Sequence, residues 1–227
     1  MPDETEKTKR LWGDFEFSLL QGEGIDIGVG GCPFAPGVLA FDQEQGDANH
    51  ITNYVDRQFD FVYSSHCLEH MHDARAAIQE WWKLVKPGGV LFFIVPDEDL
   101  YEQGFWPSHF NPDHKWTFTL SKRESWSPVS INILDLVKTL KGSELLKAEL
   151  HDLNYRRDLL GNGYRPGTLA YSLKNWSLKK LARILYKLKF VNNKYDLPRP
   201  FPIDQTRFSK IDVLAQIQCI VRKRHSS

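Results

Sequence analysis

Three short stretches hold residues whose types and spacing suit chemistry. In Asp26-Ile-Gly-Val-Gly-Gly31, glycines follow directly on an apolar segment. That arrangement lets the backbone turn tightly at a strand end and approach a ligand closely, although a lone Gly-x-Gly also serves plain turning and packing. His66-Cys-Leu-Glu-His70 sets two histidines at i and i+4, with His72 nearby. Histidines so spaced on a helix can share a metal, but a site needs a third intact ligand in the right orientation. The reading adopted for this stretch is structural, with no metal. In the third stretch, Trp106-Pro-Ser-His-Phe-Asn-Pro-Asp-His-Lys-Trp-Thr-Phe118, the candidates are His109, Asp113 and His114. A positioned imidazole or carboxylate can take a proton from a weak acid, and Asp113-His114 reads as an orienting carboxylate beside a base. Asp97, Glu98, Asp99 and Tyr101 are lesser rivals, and loop side chains that merely satisfy one another are the plain alternative.

The elements that must position these residues read as alternating strands and helices. Residues 23–31 form a buried strand running into the glycine turn, followed by apolar runs at Val38–Phe41 and Phe59–Tyr63. From Asp73 to Val85 the apolar positions Ala77, Ile78, Trp81, Trp82, Leu84 and Val85 recur at helical spacing, and Lys86-Pro-Gly-Gly89 ends the helix. Val90–Val95 is almost uniformly apolar, as a strand covered on both faces of a parallel sheet should be. A helix at about 130–141, a strand at Leu145–Leu153 and a last strand at Leu214–Val221 complete an α/β reading. Residues 96–128 lack periodicity and are placed as a long loop above the strand ends, where such loops are usually functional.

Taken in order, Asp26–Gly31, the strand ending at Asp42, Gly46-Asp-Ala48, Phe59–His70 and Leu84–Leu91 resemble the class I S-adenosylmethionine-dependent methyltransferases of the small-molecule "type 11" group. The likeness covers roughly residues 20–120 and extends to the last strand. It implies a Rossmann-like, mostly parallel seven-stranded sheet with helices on both faces. S-adenosyl-L-methionine would lie across the carboxyl ends of the central strands, where open α/β sheets bind ligands. By the same resemblance, Gly28, Gly30 and Gly31 let backbone approach the methionine part, and Asp26 favours its ammonium or an ordered water. Asp42 takes the two ribose hydroxyls, which a carboxylate can accept together. Asp47 accepts from the adenine amino group with the Ala48 backbone beside it. Ser65 and His66 line the methionine and sulfonium, and Glu69 and His70 tie the helix start to the sheet. The chain departs from the pattern at Cys32, where a third glycine is usual, at Pro33 and Pro36, and in having only four residues between Asp42 and Asp47. One flank of the sheet must therefore be abbreviated.

The loop at 106–118 resembles, less specifically, a stretch after the fifth strand in methyltransferases of bacterial surface-polysaccharide gene clusters. Trp106 and Trp116 there offer flat faces for a sugar ring or another acceptor. The expected activity is methyl transfer to an oxygen of a small molecule, a nucleotide-linked or carrier-linked sugar. The chain has 227 residues, which suits one methyltransferase domain over 1–227 with a substrate-facing loop at 96–128 and an insertion at 155–208. Within the insertion, no Asp or Glu occurs from Leu159 to Tyr195 against eight basic residues from Arg165 to Lys194. A surface helix packed on the domain is the bland reading. A platform for an anionic carrier, a membrane surface or a second subunit in a homodimer is the sharper one.

The global balance excludes other classes. Lys+Arg and Asp+Glu both total 29, which predicts no nucleic-acid coat, and the three scattered cysteines suggest neither a disulfide framework nor a thiolate zinc site. The first ten residues lack the apolar core of a signal peptide, and no apolar run approaches the ~20 residues that span a bilayer, so a cytoplasmic protein is expected. Two alternatives remain at this level. One is an RNA or DNA methyltransferase using the basic segment at 165–194; the other is a degenerate methyltransferase fold acting as a binding subunit.

Overall fold

The computed structural model describes residues 4–31, 33–157, 203–208 and 211–225, together with positions 160, 180, 184, 187 and 188. Cys32 and most of the insertion, including the basic stretch within 165–194 and the faces expected to meet a carrier, membrane or second subunit, lie outside the described residues. Strands β1 (Gly24–Ile27), β2 (Leu39–Phe41), β3 (Phe59–Ser65), β4 (Val85–Pro96), β7 (Ser143–His151) and β8 (Gln216–Lys223) form one sheet in the order β2-β1-β3-β4-β8-β7. The first four run parallel, while β8 lies antiparallel to both β4 and β7. From β1 the chain steps outward to β2 and then returns to the opposite side as β3, so strand order reverses at β1.

Among the described residues the main sheet has six strands, against the seven expected. The stretch placed as one loop supplies β5 (Thr117–Thr119), which pairs with β6 (Ser130–Asn132) in a separate parallel pair. Buried Glu98 ties this pair down by accepting from Ser125, Ser130, Thr117 and Lys122, so it is a structural tether rather than a catalytic rival.

Both faces of the sheet are covered, which explains the uniform apolarity of β4. Leu91, Phe93 and Val95 meet Val221, Cys219 and Ile217 across the strand pair and pack under helix α3 (Ala74–Lys83) and helix α4 (Ile133–Lys138). Asp73 starts α3 by accepting from the amides of Arg75 and Ala76, and its buried Trp81 and Trp82 donate to the carbonyls of Ala48 and Lys141. On the opposite face, Val90, Phe92 and Ile94 pack with Phe61, Tyr63 and Ile220. No helix joins β1 to β2 among the described residues; Trp12, between helices α1 (Glu4–Lys9) and α2 (Asp14–Leu19), covers that face together with Phe34. The indole of Trp12 donates to Gln218 at 2.9 Å. Between β2 and β3 there is only a 3₁₀ turn at Ala48–Asn53, so the β2 flank is the abbreviated one. Among the described residues, no helix is long and apolar enough to cross a membrane.

Candidate active site

The carboxyl ends of β1, β2 and β3 surround a cavity of about 780 Å³, within the roughly 300–1,000 Å³ usual for ligand pockets. Its base is the turn after β1. Gly28 has φ +81°, and a Cβ there would lie 2.6 Å from both Cβ and Sγ of Cys67. The glycine thus lets this turn settle directly onto the segment after β3. Gly30, at φ +64°, faces open space where a Cβ would project, and its amide donates to Asp42 Oδ2 at 2.7 Å. Asp42 Oδ1 accepts from the Gln43 amide. The carboxylate at the end of β2 is thereby fixed by one bond on each oxygen, and each oxygen retains a second lone pair for a ligand hydroxyl.

Asp47 stands at the start of the 3₁₀ turn, where Oδ1 accepts from both the side chain and the backbone amide of Asn49; these bonds hold its carboxyl below the usual range. Ala48 lines the same cavity. His66 closes the β3 side with φ +53°, its amide donating to Ile94 O at 3.0 Å. Its Nε2 donates to Gln216 Oε1, and its Nδ1 lies 3.4 Å from Glu69 Oε1. Burial disfavours the imidazolium, but the Glu69 carboxylate more than offsets this and the His66 pKa rises to about 9.

The loop after β4 docks beside this cavity through a run of contacts with the turn at Leu68–His70. The Lys115 amide donates to Glu69 O at 2.8 Å, its ammonium to His70 O at 2.7 Å, and the Trp116 indole to Met71 O at 2.9 Å. Asp113, exposed, reaches the large cavity, and His114, only 7% exposed, turns inward. The expected Asp113-His114 pairing is therefore corrected: His114 Nδ1 donates to Glu102 Oε1 at 2.7 Å. Adjacent residues on this loop face different ways, while Glu102 comes from a π-helical turn at Glu98–Glu102 that Asp97 caps. The His114 ring packs against Tyr101 and His70, with centroids 5.2 and 5.0 Å away.

His66, His70 and His114 line a second cavity of about 110 Å³ with Glu69 and Tyr101, and His66 and His70 line the large cavity as well. Glu69 is wholly buried and neither carboxylate oxygen has a hydrogen bond. Burial alone would raise its pKa, but His66, His114 and His70 hold it low.

Of the residues singled out from sequence, Gly28, Gly30, Asp42, Asp47, Ala48, His66 and Asp113 thus share one cavity, and His114 adjoins it. Gly31 and Ser65 line neither. Asp26 is buried and accepts from the Phe34 amide at 3.0 Å, which places it under the β1–β2 connection. His109 lies in a third cavity of about 400 Å³ with Trp106 and Trp126. Trp116 packs against the main core instead of offering a free face. Sequence reasoning missed Glu102 and the lack of hydrogen bonds to Glu69. Only the bare presence of an acid in Asp97–Glu102 signalled the first.

A comparison with curated proteins gives no match. Among solved structures the chain is similar to a SAM-dependent methyltransferase from Thermotoga maritima, at 16% identity over 97% of this chain and 88% of that one, with a TM-score of 0.48. It is also similar to a SAM-dependent methyltransferase from Archaeoglobus fulgidus, at 12% identity over 96% and 92%, with a TM-score of 0.48. Residues 24–93, the segment from β1 into β4 that supplies the glycine turn, Asp42, Asp47 and His66, match the family model described as a methyltransferase domain, and S-adenosyl-L-methionine is the cofactor this match implies.

Proposed function

We propose that the chain is an S-adenosyl-L-methionine-dependent methyltransferase acting on an oxygen of a small molecule, a nucleotide-linked or carrier-linked sugar of the kind assembled into surface polysaccharides. The observation that carries the reading is the single cavity in which a glycine turn, the strand-end carboxylate of Asp42, the turn-capping carboxylate of Asp47 and His66 meet. The residues present suit the cofactor. Gly28 lets the turn seat against Cys67 at the base of the cavity, Gly30 leaves backbone bare for the methionine part, Asp42 retains lone pairs on both oxygens for the ribose hydroxyls, and Asp47 lies on the same wall for the adenine amino group. When bound, the cofactor supplies a methyl group on a sulfonium, an electrophile that needs only an oriented nucleophile.

The rest of the work falls to this chain's own residues. His66 and His70 stand between the large cavity and the buried cluster of Glu69, Glu102 and His114, so an acceptor hydroxyl entering from the loop side meets that cluster beside the cofactor's methionine end. The cluster handles the charge or proton of that hydroxyl, which is a very weak acid in water. Asp113 stays available to position the acceptor from the cavity side. The aromatic cavity of Trp106, Trp126 and His109 supports a sugar-like acceptor, because ring faces with a few polar groups are what a carbohydrate stacks on.

Two measurements test this. Calorimetry should show one saturable S-adenosyl-L-methionine site that is weakened by Asp42→Ala. Incubation with nucleotide sugars, lipid-linked glycans, RNA and DNA, followed by mass spectrometry, should show the gain of one methyl on a sugar oxygen. No saturable cofactor binding would leave a non-catalytic binding subunit, and methyl gain on nucleic acid would overturn the acceptor.

A further inference from the structure

We propose that Glu69, His70 and His114 form a binding site for a divalent transition-metal ion at the junction of the two cavities. Each offers one ligand atom, and the three atoms lie within 4.8 Å of one another. Ligands sharing one ion at bond lengths of ~2.0–2.2 Å stand roughly 3.3–3.6 Å apart, so the set must draw in by about 1 Å. Rotation of the half-buried His70 side chain supplies that.

The second observation is the state of the carboxylates. Glu69 is 0% exposed and neither of its oxygens has a hydrogen bond; its ion-pair neighbour is His66, whose Nδ1 lies 3.4 Å from Oε1, and Glu102 Oε2 is likewise buried without a hydrogen bond. A buried carboxylate without hydrogen bonds is costly; the long contact to His66 offsets that cost only in part, and a metal ion in bonding contact would remove the rest. The histidines are arranged for the task as well. His114 Nδ1 donates to Glu102, and His70 Nδ1 donates to the Asp113 carbonyl at 3.3 Å. Because both partners can only accept, each ring carries its proton on Nδ1 and keeps the Nε2 lone pair for a metal. A carboxylate or carbonyl behind a ligating imidazole is the usual outer support of such sites.

Two imidazoles and one carboxylate select zinc, manganese, iron, cobalt or nickel over magnesium or calcium, which prefer all-oxygen sets. Three protein ligands leave a position open, and the cavity of about 110 Å³ has room for an exogenous oxygen there. The ligand set stands independently of the methyltransferase reading. Its role, holding the acceptor oxygen and lowering its pKa, rests on that reading.

The experiment titrates the chelator-stripped full chain with Co²⁺ and with Zn²⁺, following calorimetric heat and the visible absorption of cobalt. One equivalent should bind, with a cobalt spectrum of nitrogen and oxygen ligation, and Zn²⁺ should raise the melting temperature. His70→Ala and His114→Ala should each weaken Co²⁺ binding at least a hundredfold. His70 is half-buried, so its variant is expected to fold even if loss of the buried His114 disturbs the loop, and circular dichroism checks both. Wild-type protein that shows no saturable binding overturns the proposal, as does binding left unchanged by His70→Ala, which would place the ion elsewhere. Calorimetry with S-adenosyl-L-methionine on the same samples separates the two readings: cofactor without metal refutes only this site, and metal without cofactor refutes only the methyltransferase.

Discussion

One tight constraint on the large cavity is the contact between Gly28 and Cys67, and it yields a prediction in numbers. Gly28→Ala introduces two separable costs. A Cβ at φ +81° is strained whatever the surrounding space, by about 1–2 kcal/mol. The same Cβ would stand 2.6 Å from Cys67 Cβ and Sγ, well inside van der Waals contact, and overpacking of this kind costs about 1–3 kcal/mol. Together these give a loss of roughly 2–5 kcal/mol in urea unfolding, unless the turn lifts off the floor of the cavity. If the turn lifts, cofactor affinity falls by about tenfold for each 1.4 kcal/mol of lost contact. Cys67→Gly opens the space but leaves the dihedral strain. Measured against Cys67→Gly as reference, Gly28→Ala should therefore cost only the first of the two terms. The coupling energy of the double-mutant cycle should be about 1–3 kcal/mol in the sense of rescue. A coupling indistinguishable from zero, or a single mutant within about 0.5 kcal/mol of wild type, would show that the two residues are not in the contact described.

Three further outcomes are expected. On the proposed reading, Asp42→Ala removes an acceptor of two charge-assisted bonds to the ribose, each worth about 1.5–3 kcal/mol, so S-adenosyl-L-methionine should bind at least a hundredfold more weakly; Asp42→Asn keeps one acceptor oxygen and should fall between, and equal affinities for all three proteins would remove Asp42 from the site. Glu102→Gln leaves His114 without its carboxylate, and Co²⁺ affinity should drop by roughly 10–100-fold with the cobalt spectrum retained, whereas loss of both spectrum and binding would make Glu102 a direct ligand. Burial raises the Asp97 pKa from 3.8 to about 6, so the folded state holds its proton more tightly than the unfolded state does. Stability contributed by this group is then greatest below about pH 4 and declines as pH rises through 6, by up to about 3 kcal/mol. Asp97→Asn keeps the caps to the Asp99 and Leu100 amides and should flatten that decline in pH-dependent melts; an identical slope in the variant would assign it to another group.

How far the sequence could be read follows from how local each determinant is. The alternation of β4 was hidden by its uniform apolarity, yet that uniformity itself announced a strand covered on both faces, as Phe92 and Phe93 now show by packing into opposite clusters. The abbreviated β2 flank was legible because four residues between Asp42 and Asp47 cannot hold a helix and a strand. The helices at Glu4–Lys9 and Asp14–Leu19 were not legible: each has six residues and owes its place to distant contacts, such as Trp12 against Phe92 and Glu16 with Lys147. The β5–β6 pair escaped for the same reason. Three-residue strands carry too little pattern to announce themselves, and the Glu98 tether that fixes them spans up to 32 residues of chain.

The same distinction separates the two halves of the candidate site. The glycine turn and Asp42 follow directly on strand ends and Asp47 caps the next 3₁₀ turn, places where backbone geometry limits the choice of residue, so their types and order carry the information. The histidine cluster depends on side chains from segments far apart in the chain meeting in a buried space: Glu69 and His70 on one turn, Glu102 on another, and His114 on a loop joined to the first turn by Lys115 and Trp116. No spacing rule links position 102 to position 114, and the adjacent Asp113 was the natural but wrong partner. What exposes the cluster is an imbalance visible only in three dimensions. Burying Glu69 without hydrogen bonds works against stability, and chains keep such features where function needs them. Elsewhere in this chain the buried acids Glu98, Asp97 and Asp26 accept bonds from hydroxyls or backbone amides. That Glu69, ion-paired with His66 at 3.4 Å, accepts no hydrogen bond within reach of two further imidazoles whose other nitrogens are already held is why the group points to a ligand rather than to faulty packing.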